Sequence, residues 1–261
     1  YGENAIMLAN KEADIGTTSR SAAEAALKDQ LEKQPELLDD LRFISTAHQT
    51  VVHAVVPANS EIETIEDLKG KTVSVGEPGS GTEATNRFIF EMYGMSYDDI
   101  NPQYLAFNET TEQFQDGKID AFILTTMYPN PNIMSLSTQK DIRLLTFDQK
   151  DADKLNELYS GQFITTEIPA DTYGNKEPIP TIGVPAGYVV HKDMDEKLAY
   201  ELARIMNEHS DEIARVHPAG EQWGLENALF GKEFKYHAGA VKYFKDVGVW
   251  DDRPNGVEGE E

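Results

Sequence analysis

A strand that runs directly into a glycine-rich turn and then into a helix constrains this chain more than any other stretch. It is formed by residues 70–83, which read Gly-Lys-Thr-Val-Ser-Val-Gly-Glu-Pro-Gly-Ser-Gly-Thr-Glu. Thr72, Val73 and Val75 are typical of a buried strand, and the Pro-Gly-Ser-Gly segment ends it. Good helix formers with apolar residues at helical spacing occupy residues 83–93. A strand, a tight turn and a helix are therefore predicted in that order.

The turn is a candidate anion site. Glycine lets the backbone approach a ligand closely, and the free N–H groups and dipole at a helix start favour a carboxylate or phosphate. Ser80, Gly81 and Thr82 are the predicted ligand contacts. An ordinary connection in which the serine only caps the helix is the alternative. The sequence leaves both open.

Two nucleotide-binding motifs do not fit this turn. A Walker loop ends in Gly-Lys-Ser/Thr, whereas this turn ends in Gly-Thr-Glu and Lys71 precedes the strand. A Rossmann fingerprint needs the spacing G-x-G-x-x-G, which Gly76, Gly79 and Gly81 do not have. A nucleotide cofactor is therefore not predicted.

Charge and composition exclude several classes of partner. The 261 residues include 23 basic and 46 acidic ones, for a net charge of -23, so nucleic acid and anionic membranes are unfavourable partners. The chain has no cysteine, which excludes disulfides and thiolate sites. With 39% hydrophobic residues it is long enough for two compact domains.

No residues are predicted to be catalytic or to bind a metal. The six histidines lack the spacing of a ligand set such as H-E-x-x-H, and the Gly-Ser-Gly of the turn lacks the G-x-S-x-G pattern of a serine nucleophile. The sequence therefore predicts a protein that is not an enzyme and carries no cofactor.

A sequence pattern that occurs twice in the chain suggests two similar lobes. Residues 10–19 and 116–126 each run through a helix end, a basic turn, an aspartate, an apolar strand and paired threonines. In open α/β sheets ligands bind beyond the carboxyl ends of strands, so the paired threonines are expected to face a crevice, together with Thr82. They are Thr17, Thr18, Thr125 and Thr126. That threonine simply suits strand ends is the alternative. Arg87, one helical turn past the glycine-rich turn, could pair with a ligand carboxylate or make an exposed ion pair.

The expected architecture is two α/β lobes, each a mostly parallel sheet flanked by helices. Residues 1–62 form the first part of lobe 1, residues 63–180 form lobe 2, and residues 181–252 return to lobe 1 with C-terminal helices. Within the last range, residues 195–215 predict an amphipathic helix whose apolar face includes Leu198, Leu202 and Ile205. Residues 253–261 are expected to be a frayed acidic tail. The first strand and loop of lobe 1 are expected to lie upstream of Tyr1.

In the order and spacing of its motifs the chain resembles the TAXI family of solute receptors that serve TRAP transporters. The segments that carry the resemblance are residues 9–16, 65–83, 94–100, 116–133 with their Tyr-Pro-Asn-Pro, 184–194 and 237–248.

The resemblance implies a two-lobed, Venus-flytrap fold of the periplasmic binding protein type. It implies a monomeric receptor outside the cytoplasm, periplasmic or extracellular, with or without a membrane anchor. Its partners would be a small anionic solute, such as glutamate, glutamine or another carboxylate, and the permease subunits of a TRAP transporter. An enzyme on the same fold, such as a transferase or dehydratase, and a cytosolic effector-sensing domain are the alternatives.

The resemblance also assigns ligand contacts to positions of this sequence. Those of lobe 2 are the turn Ser80, Gly81 and Thr82 and the strand end Thr126, Met127, Tyr128 and Pro129. Those of lobe 1 are Thr17 and Thr18.

Overall fold

Two long strands carry the chain between two compact units. The computed structural model describes residues 1–159, 163–216, 220, 222–231, 234–254 and 256–260. Unit 1 comprises Tyr1–Gln49 and Pro185–Glu261, and unit 2 comprises Thr50–Val184. Strands β2 (Leu41–Pro57) and β8 (Ile179–His191) each begin in one unit and end in the other.

Unit 1 packs its helices around one apolar core. Its further elements are α1 (Gly2–Ala9), β1 (Ile15–Thr18), α2 (Arg20–Leu31), α7 (Glu196–Glu208), α8 (Ser210–Val216) and α9 (Ala238–Asp246). Strand β1 pairs antiparallel with β8. The largest buried side chains of this core include Phe43, Tyr236 and Phe244.

Unit 2 contains the predicted strand, turn and helix. Its further elements are β3 (Thr72–Ser74), α3 (Gly81–Met92), β4 (Asn101–Gln103), α4 (Phe107–Gln115), β5 (Ala121–Thr126), α5 (Pro131–Ser137), β6 (Ile142–Leu144), α6 (Gln149–Leu158) and β7 (Ile164–Ile168). The apolar face of α3, with Ile89 and Phe90, packs with Val73 and Val75 into a core of this unit. The strand and helix predicted around the glycine-rich turn are confirmed.

The α/β class is confirmed, but the sheet is not mostly parallel in the described residues. Strand β3 runs parallel to its neighbours β4 and β5. The pairs of β2 with β5 and β6, and of β8 with β1 and β7, are antiparallel. Helices α3 and α4 supply the crossovers that parallel strands require. The alternation of helix and strand over residues 72–126 is visible in the sequence, whereas the direction of β2 and β8 is not.

The C-terminal tail is packed rather than frayed in its described part. Val257 is buried, and the Glu260 carboxylate accepts a hydrogen bond from Nε of Arg42 at 2.6 Å. The backbone N–H of Tyr236 donates to Glu258 O at 2.8 Å, and that of Glu260 donates to Tyr236 O at 2.9 Å. The sequence-based expectation was wrong because it weighed the small apolar content of the tail and missed these backbone bonds.

No helix within the described ranges combines the length and apolarity needed to cross a bilayer.

Candidate functional site

The candidate site lies at the start of α3 in unit 2. Ser80 is the N-cap residue, with extended backbone angles, and its hydroxyl accepts a hydrogen bond from the N–H of Glu83 at 3.1 Å. Strand β3 thus leads through a short turn to a capped helix, as the turn sequence predicts.

Gly76 is required by the close approach of the turn to the helix. Its φ is +91°, and a Cβ there would lie 2.7 Å from Cγ2 of Thr82. Gly79 also has a positive φ of +73°, but no atom would lie within 4 Å of its Cβ. The first glycine therefore lets the turn pack on the helix, and the second only reverses the chain.

Two backbone donors at the start of α3 have no partner in the described part of the chain. In the described residues, the N–H groups of Gly81 and Thr82 have no acceptor within hydrogen-bond distance. No atom would lie within 4 Å of a Cβ built on Gly81, so there is space beside this backbone. Free N–H groups and the positive end of a helix dipole are a binding site for an anion.

Thr82 and Thr125 join the helix start to the end of β5. The Thr82 hydroxyl donates to Thr125 O at 3.2 Å and accepts from the Thr125 N–H at 3.3 Å. The Thr125 hydroxyl is itself buried and lacks a partner in the part of the chain that is described. The hydroxyl of Thr82 thus positions the turn, while that of Thr125 still has hydrogen-bonding capacity.

Asn86 joins the residue that follows β3 to the middle of β5. Its buried side-chain amide donates to Val75 O at 3.0 Å and to Ile123 O at 2.9 Å. The sequence analysis missed this residue. The available signal was a polar side chain on the apolar, core-facing side of a predicted helix.

Arg87 contacts Glu83 of its own helix and the ring of Tyr97 beyond that helix. Its Nε lies 2.5 Å from Oε1 of Glu83, and its guanidinium carbon lies 4.6 Å from the centre of the Tyr97 ring. Burial is the main cause that raises the pKa of Tyr97. Arg87 therefore neutralises the buried carboxylate nearest the turn. A contact from Arg87 to a ligand stays a prediction.

The end of β5 forms a second group of predicted contacts. The Thr126 hydroxyl accepts from Nδ2 of Asn130 at 3.2 Å, and Asn130 caps α5. Met127, Tyr128 and Pro129 lie between these residues and are half-buried. Burial, followed by the charge of Glu167, raises the pKa of Tyr128.

Thr17 and Thr18 lie at the end of β1 in unit 1. Nδ2 of Asn4 donates to Thr17 O at 2.9 Å, and the buried Thr18 hydroxyl donates to Tyr1 O at 3.1 Å. Ser19 then caps α2 by accepting from the Ala22 N–H. The structure thus groups Ser80, Gly81, Thr82, Thr125 and Thr126 by direct contacts or adjacency in unit 2. One site shared with Thr17 and Thr18 stays a prediction.

Metal binding has no support in the described residues, where no three histidine or carboxylate side chains are grouped in a way that could hold an ion.

The fold is that of the periplasmic solute-binding proteins. The crystal structure of the periplasmic aliphatic sulphonate binding protein SsuA from Escherichia coli matches 97% of this chain and 70% of its own, with a TM-score of 0.52 at 18% identity. The predicted fold of the periplasmic binding protein type is confirmed.

The chain belongs to the NMT1-like family, whose model matches residues 2–248. A putative aliphatic sulfonates-binding protein of Escherichia coli (strain K12) is 30% identical over 115 residues, which are 44% of this chain. The matched part spans about a third, 33%, of that relative's length.

The assignment to the TAXI family was therefore wrong, and with it the TRAP transporter loses its support. The physical reason lies in the motifs that carried the resemblance. A glycine-lysine strand start and a Gly-Ser-Gly-Thr turn meet backbone requirements common to many proteins of this fold. They indicate the fold without separating its families.

Proposed function

We propose that this chain is the solute receptor of an ABC-type transporter and works outside the cytoplasm. Its ligand is a small organic anion of the sulfonate class, which it binds at the start of α3 and delivers to membrane permease subunits. The names of the similar Escherichia coli relative and of the similar crystal structure, both of aliphatic sulfonate binding, support the ligand class.

The observation that supports the proposal is the pair of N–H groups of Gly81 and Thr82 at the capped helix start, which have no acceptor among the residues that the structure describes. A sulfonate has three oxygens that can accept hydrogen bonds from several donors at once, and it stays ionised at physiological pH. Local donors are needed because the chain as a whole carries a net charge of -23 and repels anions. The Arg87–Glu83 pair limits the repulsion from the nearest buried carboxylate.

Binding without chemistry fits the groups at this turn. Its hydroxyls, side-chain amide and backbone N–H groups orient an anion but do not act as a general acid or base near neutral pH. The buried carboxylate beside them, Glu83, is paired with Arg87, and Glu77 of the turn is exposed.

Isothermal titration with matched ligands and matched variants tests the proposal. Ethanesulfonate is the probe, propionate has the same tail with a carboxylate, and propanol is the neutral control. Gly81→Asp places a carboxylate beside the free N–H groups, whereas Gly81→Asn has the same shape without the charge. An acidic residue in the first helical turn is favourable for the helix, so Gly81→Asp should stay folded.

We expect ethanesulfonate to bind, propanol not to bind, and Gly81→Asp to bind ethanesulfonate about tenfold or more weakly than Gly81→Asn. Equal affinities of these two variants would show that the anion does not bind at α3. Binding of propionate with no binding of ethanesulfonate would overturn the sulfonate class while leaving an anion receptor. No binding of either anion would overturn the function proposed.

A further inference from the structure

A cavity in unit 1 has a charge balance unlike that of the rest of the chain. Its volume is about 510 Å³. Arg20, Arg42 and Lys235 are three of its nine lining residues, whereas 23 of the 261 residues of the chain are basic. The lining acids are Asp39 and Glu258, so the lining side chains sum to one positive charge in a protein of net charge -23. Arg20 and Arg42 are also paired with Glu24 and Glu260, which lie outside the lining.

Backbone register explains why these charges meet. Parallel bridges pair Phe43 with Tyr236 and Tyr236 with Gly259. Side chains alternate between the two faces of an extended segment, so the residues one position earlier share the opposite face. Those residues are Arg42, Lys235 and Glu258, which form one row along the cavity wall.

Arg42 and Lys235 both have hydrogen-bonding capacity for a ligand. Nε of Arg42 donates to Glu260, and its Nη1 donates to the carbonyls of Asp39 and Leu41. Its Nη2 has no acceptor among the residues that the structure describes. Nζ of Lys235 lies 3.5 Å from Oε2 of Glu258, with side chains 57% and 69% exposed. An ion pair between side chains this exposed is weak and breaks readily.

The wall favours a hydrophilic ligand. Phe234, Leu38 and Leu41 also line the cavity, but they are already buried and offer little apolar surface. The volume lies in the range of sites for small molecules and exceeds that of a lone phosphate. A guanidinium beside an ammonium is a frequent combination for phosphate oxygens.

We propose that this cavity is a second ligand site, which binds a small phosphorylated molecule or diphosphate through Arg42 and Lys235. Glu258 is an internal competitor that holds Lys235 while the site is empty. The site is independent of the function proposed above, because it lies in unit 1 and shares no residue with the α3 turn.

Pyrophosphate in metal-free buffer of low salt is the probe, and isothermal titration is the measurement. The test variants are Lys235→Gln and Glu258→Gln. The chain offers a matched control pair in unit 1, Lys242 and Glu196, whose Nζ and Oε1 are 3.9 Å apart with side chains 64% and 61% exposed. The controls are therefore Lys242→Gln and Glu196→Gln, which change the net charge equally.

We expect Lys235→Gln to weaken pyrophosphate binding about fivefold and Glu258→Gln to tighten it about fivefold, with each control within about twofold of the unmodified protein. Opposite effects of the two substitutions on affinity would identify Lys235 as a donor to the ligand and Glu258 as its competitor. Circular dichroism of each variant checks that the fold is kept.

Three results would overturn the proposal. They are no saturable pyrophosphate binding, equal effects of a test variant and its control, and weaker pyrophosphate binding by Gly81→Asp than by Gly81→Asn. The last would place pyrophosphate at the α3 turn. Failure of ethanesulfonate to bind would leave this second site untouched.

Discussion

Nε2 of His53 lies 2.9 Å from the hydroxyl of Tyr173, and both side chains are buried in unit 2. Nδ1 lies 3.0 Å from Val51 O, which can only accept, so Nδ1 carries the proton and Nε2 accepts from Tyr173. The Tyr173 hydroxyl in turn accepts from the Asn130 N–H at 2.9 Å. This chain of bonds connects β2 with the cap of α5, next to the predicted contacts at the end of β5.

The neutral state of His53 predicts a loss of stability in acid. Burial lowers the pKa of His53 from 6.5 to about 4. Below pH 6.5 the unfolded chain takes up a proton that the folded chain does not accept until about pH 4, so the stabilisation present above pH 6.5 is lost as the pH falls between these values. The full loss from this group is about 3 kcal/mol. Urea unfolding at pH 7.5, 6, 5 and 4.5 measures it.

His53→Gln is the control, because glutamine can accept from Tyr173 and does not titrate. Its free energy of unfolding should fall less between pH 7.5 and 4.5 than that of the unmodified protein. Parallel profiles of the two proteins would refute the role of His53. Tyr173→Phe removes the shared hydroxyl and should cost about 2 kcal/mol at pH 7.5.

Asn86 is expected to contribute strongly to stability. Asn86→Ala leaves Val75 O and Ile123 O without their donor inside unit 2, which should lower the free energy of unfolding by about 3 kcal/mol. Asn132→Ala is the control. The hydrogen bond that its side-chain amide donates to Oδ1 of Asn108 is exposed, so its loss should cost about 0.5 kcal/mol or less. Urea unfolding compares them, and equal losses would contradict the role given to Asn86.

The two left-handed glycines of the turn should differ in their tolerance of a side chain. Gly79→Ala meets only the backbone strain of a positive φ, at about 1 kcal/mol, because nothing lies near its Cβ. Gly76→Ala adds a clash with Thr82 and should cost at least about 2 kcal/mol more. It should also weaken ethanesulfonate binding, because the displaced helix start carries the free N–H groups. Thermal unfolding and titration measure both effects, and similar losses at the two positions would rule out the close packing.

Local features of unit 2 were predictable because their causes lie within a few residues. Ser80 caps α3 through Glu83, three positions along the chain. The hydrogen bond between Asn86 and Ile123 joins residues 37 positions apart in the sequence, and that between His53 and Tyr173 joins residues 120 positions apart. Such partners follow from the packed arrangement of strands, which residue patterns alone do not specify.

The fold was predictable and the family was not, for one physical reason. Gly76 and Ser80 are present because a tight strand-to-helix turn needs a left-handed residue and a cap. Any protein that builds this turn faces the same requirement. Residues that distinguish one family of receptors from another are not required by the geometry of a local turn.

The buried face of helix α7 is shifted from the one that its apolar pattern predicted, although Leu202 of that pattern packs against the core. Ala199 and Ala203 are fully buried, whereas Leu198 and Ile205 are half-exposed. The cause is the close approach of α9 at Gly239, where a Cβ would lie 2.8 Å from the Tyr200 nitrogen and still closer to the Glu196 carbonyl oxygen. Small residues therefore form this contact, although larger apolar ones are available on the helix.

Gly239→Ala should consequently destabilise unit 1 although alanine is the better helix former. Relief of the helix penalty of glycine would add about 1 kcal/mol, whereas the backbone clash should cost about 3 kcal/mol or more. Gly248→Ala, after the end of α9, is the control: its φ is +82° with no atom near its Cβ, so it should cost about 1 kcal/mol. Urea unfolding distinguishes them. A Gly239→Ala protein as stable as the unmodified one would mean that α7 and α9 do not approach as closely as the small residues at their contact indicate.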